Sequence, residues 1–73
     1  MNKTITPFGM QIKRALIDLG KPQIWLILEI RKKTGKYFDT SYMSKIMTGK
    51  SNNKGMKKAI CEILHITEDL DNG

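Results

Sequence analysis

Ser41, Ser44, Lys45 and Thr48 recur at helical spacing within residues 38–50, FDTSYMSKIMTGK, with Thr40 just ahead of them. On a helix these side chains share one stripe, while Met43, Ile46 and Met47 form a second, apolar one. A hydroxyl both donates and accepts hydrogen bonds and a lysine adds a cation, so the polar stripe suits a partner rich in acceptors and negative charge. No carboxylate lies within the helix to oppose such a partner. The plainer alternative is a solvated helix face.

Charge distribution favours the partner. Thirteen Lys/Arg face seven Asp/Glu, a net charge of +6. Arg31, Lys32, Lys33, Lys36, Lys45, Lys50, Lys54, Lys57 and Lys58 are accompanied, in the same span, by one acid, Asp39. Glu68, Asp69 and Asp71 gather instead at the end of the chain. A basic middle beside an acidic tail produces a directional field suited to a polyanion.

Seventy-three residues, 40% hydrophobic, suffice for one small core, and a deep catalytic cavity is not expected. Cys61 is the sole cysteine, so no internal disulfide forms, and no Cys/His set has metal-ligand spacing. Neither paired catalytic carboxylates nor a Gly-rich phosphate loop is present, so the chain is not expected to be an enzyme, to carry a cofactor or to take a small-molecule substrate. The N-terminal residues lack the apolar run of a signal peptide, and Ile24 to Leu28, the longest apolar run, is far short of a membrane span. A soluble protein of a reducing cytoplasm, with no membrane partner, is the expectation.

Positioning the polar stripe requires a frame of helices. Thr6-Pro7 opens the first, since Thr caps first-turn amides and Pro is tolerated at the first helical position. Phe8, Ile12, Ala15, Leu16 and Leu19 give it an apolar face, and Gly20 ends it. Pro22 marks a second start, and QIWLILEIRKK runs without a breaker to Thr34-Gly35. Its β-branched and aromatic content also fits a strand, but the leading Pro and closing Lys-Lys-Thr-Gly favour a helix. Asp39 or Thr40 caps the third helix, which runs to Met47 or Thr48 before Gly49. The polar loop GKSNNKG leads to a fourth helix from Met56 to His65, with Met56, Ile60, Ile63 and Leu64 inward. A single domain spans 1–73, with its core at about 6–66 and a short C-terminal turn and acidic tail at 67–73.

Taken in order, LGKPQIWLI, DTSYMSKIMTGK and KKAICEILHI resemble the Cro/repressor type of helix-turn-helix regulator found in bacteria and their phages. The resemblance covers about residues 8–70, and the third-helix motif is its most specific part. It implies a compact, all-α, four- to five-helix lambda-repressor-like DNA-binding domain, acting as a sequence-specific transcriptional regulator on an operator or promoter in double-stranded DNA. Residue by residue, it places Thr40, Ser41 and Lys45 where such regulators read bases. Gln23, Thr48, Lys50, Ser51, Asn52 and Lys54 fall where they contact phosphates. Leu70 and the end of the fourth helix fall at the contact patch of a homodimer on DNA.

Two features depart from the family pattern. Leu16 and Met47 occupy positions that in many members carry an Arg–Glu pair, so the contact is expected to survive as packing. The linker before Asp39 is longer by four or five residues, and Arg31, Lys32, Lys33 and Lys36 within it either extend the second helix as auxiliary bases or alter the docking angle. Tyr37, Phe38 and Tyr42 are expected to pack this connector onto the core rather than to stack nucleobases. His65 stands where the family has Gly, and a left-handed residue is expected there. Trp25 and Leu28 lie off the inward line of Leu26, Ile27 and Ile30. Trp25 either caps the edge of the core or, with Leu28 and Tyr42, offers a surface for a second reading, an antirepressor or modulator that docks on a partner repressor protein and alters its DNA binding.

Overall fold

The computed structural model describes residues 5–67. Four helices fold in the order α1 (Pro7–Leu19), α2 (Gln23–Thr34), α3 (Thr40–Met47) and α4 (Lys54–Leu64), and no strand occurs among the described residues. The chain is therefore all-α. The strand alternative for residues 23–30 is set aside, and the expected short C-terminal turn, Leu70 and the acidic tail lie outside the described residues.

Local chemistry accounts for each boundary. The Thr6 hydroxyl accepts from the amide of Gly9 at 3.1 Å, capping α1, and Gly20 takes the left-handed conformation that ends it. Pro22 is the residue before α2 rather than its first turn, and it supplies no side-chain cap. Gly35, again left-handed, stops α2, so the helix is extended through Arg31, Lys32 and Lys33. Of the two expected capping residues for α3, Asp39 takes the role, accepting from the Tyr42 amide at 2.9 Å. Asn53 Oδ1 accepts from the amide of Met56 at 3.1 Å. That bond starts α4 at Lys54, two residues before the predicted start, and places His65 just beyond the helix with φ 59°. A left-handed residue was expected at that position.

The core draws on every element. Phe8, Ile12 and Leu16 of α1 meet Leu26, Ile27 and Ile30 of α2, Met43, Ile46 and Met47 of α3, and Met56, Ile60 and Leu64 of α4, with Phe38 of the connector wholly buried. Leu16 and Met47 are both buried in this cluster. A helix in so small a domain can bury only part of its circumference. Accordingly Leu26, Ile27 and Ile30 are buried while Ile24 and Leu28 of the same apolar run stay exposed. Ile63, expected inward, is only half-buried, and Ala59 takes a buried place on α4.

One contact fixes the placement of α3. A Cβ on Gly9 would lie 2.5 Å from the carbonyl oxygen of Met47 and 2.5 Å from Ile5 Cγ2, closer than any side chain tolerates. Glycine here lets the first turn of α1 lie against the backbone at the end of α3, which holds the polar stripe in a set direction.

Candidate functional site

Asp39 organises the start of α3. One carboxylate oxygen receives the Tyr42 amide and the other receives the Tyr37 hydroxyl at 2.6 Å. The bond from Tyr37, followed by that from the Tyr42 amide, lowers the Asp39 pKa, with Lys45 adding a smaller electrostatic pull. The same bond raises the Tyr37 pKa, followed by the charge of Asp39, while Arg31 acts weakly in the opposite direction. Both carboxylate oxygens are thus engaged, although Asp39 is an ionised acid beside an otherwise polar and basic face. At the far end of α3, the carbonyl of Lys45 accepts from the Ser51 amide at 3.0 Å, folding the following loop back on the helix.

Between these ends, Met43, Ile46 and Met47 are buried and Thr40, Ser41, Ser44 and Lys45 are exposed. Thr40, Ser41, Ser44, Lys45, Thr48 and Lys50 line one shallow depression. Three hydroxyl residues of α3 and two lysines thus converge with no acid in the lining, an arrangement that can give and take hydrogen bonds while attracting negative charge. Ser44, on the polar stripe by its spacing of four from Thr40 and three from Ser41, has no contact role among the residues read from the sequence and joins the lining here. Tyr37, exposed at 70%, was expected to pack inward; instead Phe38 fills the core and the Tyr37 ring borders Ser41 and Lys45 in a neighbouring depression.

The remaining assigned residues divide into presented and engaged groups. Lys50, Lys54 and Asn52 are exposed, with Lys54 in the first turn of α4 and the side-chain Oδ1 of Asn52 accepting from Lys57 Nζ at 2.9 Å. Gln23 in the first turn of α2 and Ser51 in the loop are half-buried. Thr48 is half-buried too, and its hydroxyl donates to the Ser44 carbonyl at 3.0 Å, which leaves it an acceptor and a poor donor to phosphate. Among the auxiliary bases, Lys32 pairs with Glu29 at 3.4 Å and Lys33 with Glu62 at 3.2 Å, whereas Arg31 and Lys36 pair with no described acid. Paired cations contribute less field than the sequence count suggests.

Of the residues considered for a protein partner, Trp25, Leu28 and Tyr42 are described. Trp25 packs partly against the core beneath the Lys21 ammonium, 5.6 Å from the ring, and Tyr42 packs on Phe38 with centroids 4.7 Å apart while its hydroxyl accepts from Asn53 at 2.8 Å. Leu28 alone of the three is exposed, at 48%. Cys61 is half-buried on α4, and no group of three or more His, Cys, Asp or Glu among the described residues could hold a metal ion. No helix among the described residues is long and apolar enough to cross a membrane. Compared with known protein families, curated proteins and solved structures, the chain matches none of them.

Proposed function

We propose that this chain is a sequence-specific double-stranded DNA-binding transcriptional regulator of the Cro/repressor helix-turn-helix type, with α3 in the major groove. The observation that carries the reading is the two-sidedness of α3. Its inner side is locked into the core, and its outer side presents Thr40, Ser41, Ser44 and Lys45 without an acid. Eight residues give a helix about 12 Å long, comparable with a major groove about 12 Å wide.

On this reading Thr40, Ser41 and Lys45 meet base edges, Ser44 adds a fourth polar contact, and Lys50 and Lys54 meet phosphates on the flank. Hydroxyls serve either donors or acceptors on bases, and Lys45 favours guanine O6 and N7. Gln23 serves at the amino end of α2, where the helix terminus assists a phosphate contact. A module this small reads few base pairs, so a homodimer on a two-fold site, with half-sites one helical turn apart, supplies the affinity. The protein acts in the cytoplasm of a bacterial cell.

The exposed pair Ile24 and Leu28, one turn apart on α2, favours a second reading: an antirepressor that docks on a partner repressor. Selection of bound duplexes from random sequence, run with and without a repressor encoded beside this chain, separates the two. Enrichment of a defined motif by the chain alone supports the regulator. No enrichment, together with a stable complex between the two proteins, supports the antirepressor.

A further inference from the structure

The polar face of α3 does not stop at Ser41. Tyr37 borders two depressions, one shared with Asp39, Ser41, Tyr42, Lys45 and Ser51, the other with Leu28, Arg31, Lys32, Gly35 and Lys36. A single surface therefore runs from α3 across the phenol ring to the basic end of α2. The one carboxylate along it, Asp39, has both oxygens occupied by hydrogen bonds. Arg31, in the last turn of α2, and Lys36, next to the left-handed Gly35, pair with no described acid, while Lys32 is shared with Glu29.

We propose that Arg31, Lys36 and Tyr37 form a second contact site for the DNA sugar-phosphate backbone, continuous with the α3 face. Arg31 and Lys36 hold phosphates, and the Tyr37 ring packs against the sugar between them and the α3 contacts. The proposal rests on the DNA-binding reading above.

Two features could oppose an anion here, and both are outweighed. A helix carboxyl end carries about half a negative charge, but α2 places Arg31, Lys32 and Lys33 in its last turn. The carbonyls of Ile30 and Arg31 are also taken, by the Thr34 hydroxyl at 2.8 Å and the Gly35 amide at 2.8 Å, so neither is left bare toward the incoming strand. The uniform charge favours a strand of phosphates over an apolar protein anchor, since Leu28 is the only aliphatic residue in the lining. Tyr37 is exposed with its hydroxyl already tied to Asp39, which fixes the ring while leaving its face open.

The test uses the full chain and a duplex selected from random sequence. Binding is measured over a range of salt for the wild type, Arg31→Ala/Lys36→Ala, Tyr37→Ala and Tyr37→Phe, together with hydroxyl-radical footprints. Loss of two phosphate contacts flattens the log–log salt slope of the double variant by about 1.8, shortens protection on one flank and leaves the selected motif unchanged. Tyr37→Ala loses affinity, and Tyr37→Phe, which keeps the ring but releases one oxygen of Asp39, loses less. All four proteins should share one circular dichroism spectrum, because the substituted side chains are exposed. A wild type that binds its motif, with the slope and footprint of the double variant unaltered, overturns the second site and leaves the α3 reading intact. The second site is equally overturned if that variant loses only an acidic protein partner. A wild type that selects no duplex at all removes the reading on which the site rests.

Discussion

The carbonyl oxygen of Met47 accepts both donors of Thr6, the backbone amide at 3.0 Å and the hydroxyl at 2.9 Å. The residue that caps α1 therefore also ties down the last residue of α3, and the orientation of the polar face depends on a junction outside it. Glycine at position 9 lets the two backbones approach closely enough for this tie.

Substitution at that junction should cost stability without touching the exposed face. Gly9→Ala forces a methyl group onto the Met47 carbonyl and should lose about 1–3 kcal/mol, as overpacked sites do. Thr6→Ala removes a cap and should lose about 1 kcal/mol. In a domain of this size each kcal/mol lowers Tm by about 4–8 °C, so thermal unfolding resolves both. A Gly9→Ala protein as stable as the wild type would show that α1 and α3 are not in this contact.

Adjacent aromatic residues should behave oppositely. Phe38 is wholly buried, and Phe38→Ala should cost about 3–5 kcal/mol. Tyr37 is 70% exposed, and Tyr37→Ala should move Tm little. Equal losses at the two positions, measured by urea titration, would mean that the connector is threaded differently.

Acid and alkali should loosen the start of α3 by separate routes. Asp39 has a lowered pKa in the fold, chiefly through the Tyr37 hydroxyl, so its stabilisation is present above the unfolded value and fades as pH falls below about 4. Tyr37 has a raised pKa, chiefly through the same bond, so its stabilisation is present below the unfolded value and fades as pH rises above about 10. Between those limits the pair contributes no pH dependence. Asp39→Asn keeps a capping side chain but should diminish both arms. Unfolding midpoints across pH for the wild type and the variant check this; identical profiles would remove Asp39 and Tyr37 as the cause.

Helix frames were legible in the sequence where a local signal dominates. Thr6-Pro7, Gly20, Thr34-Gly35 and Asp39 each act within a few residues, and the structure places α1 to α3 accordingly. The start of α4 was less legible, because the polar run GKSNNKG reads as loop and conceals the cap within it. Three-dimensional packing decides for Asn53, whose amide also reaches the Tyr42 hydroxyl. Tyr37 and Phe38 carry similar apolar signals, and only the turn after Gly35 determines which one enters the core. Pairing of Lys33 with Glu62 joins α2 to α4 across 29 positions, which no local pattern reveals. The close approach of Gly9 to Met47 was equally invisible, since a glycine in a helix reads as a weakness unless the opposing backbone is known.

If the outer side of α3 reads base edges, Ser41→Ala and Lys45→Ala must change affinity for a duplex selected by the wild type. Lys45→Ala should lose about 1–3 kcal/mol of discrimination, the worth of a good bidentate base contact, and Ser41→Ala a smaller amount, with preference relaxed at specific positions and thermal stability unchanged. Full affinity and unchanged preference in both variants, on every selected site, would contradict the assignment of this face to DNA.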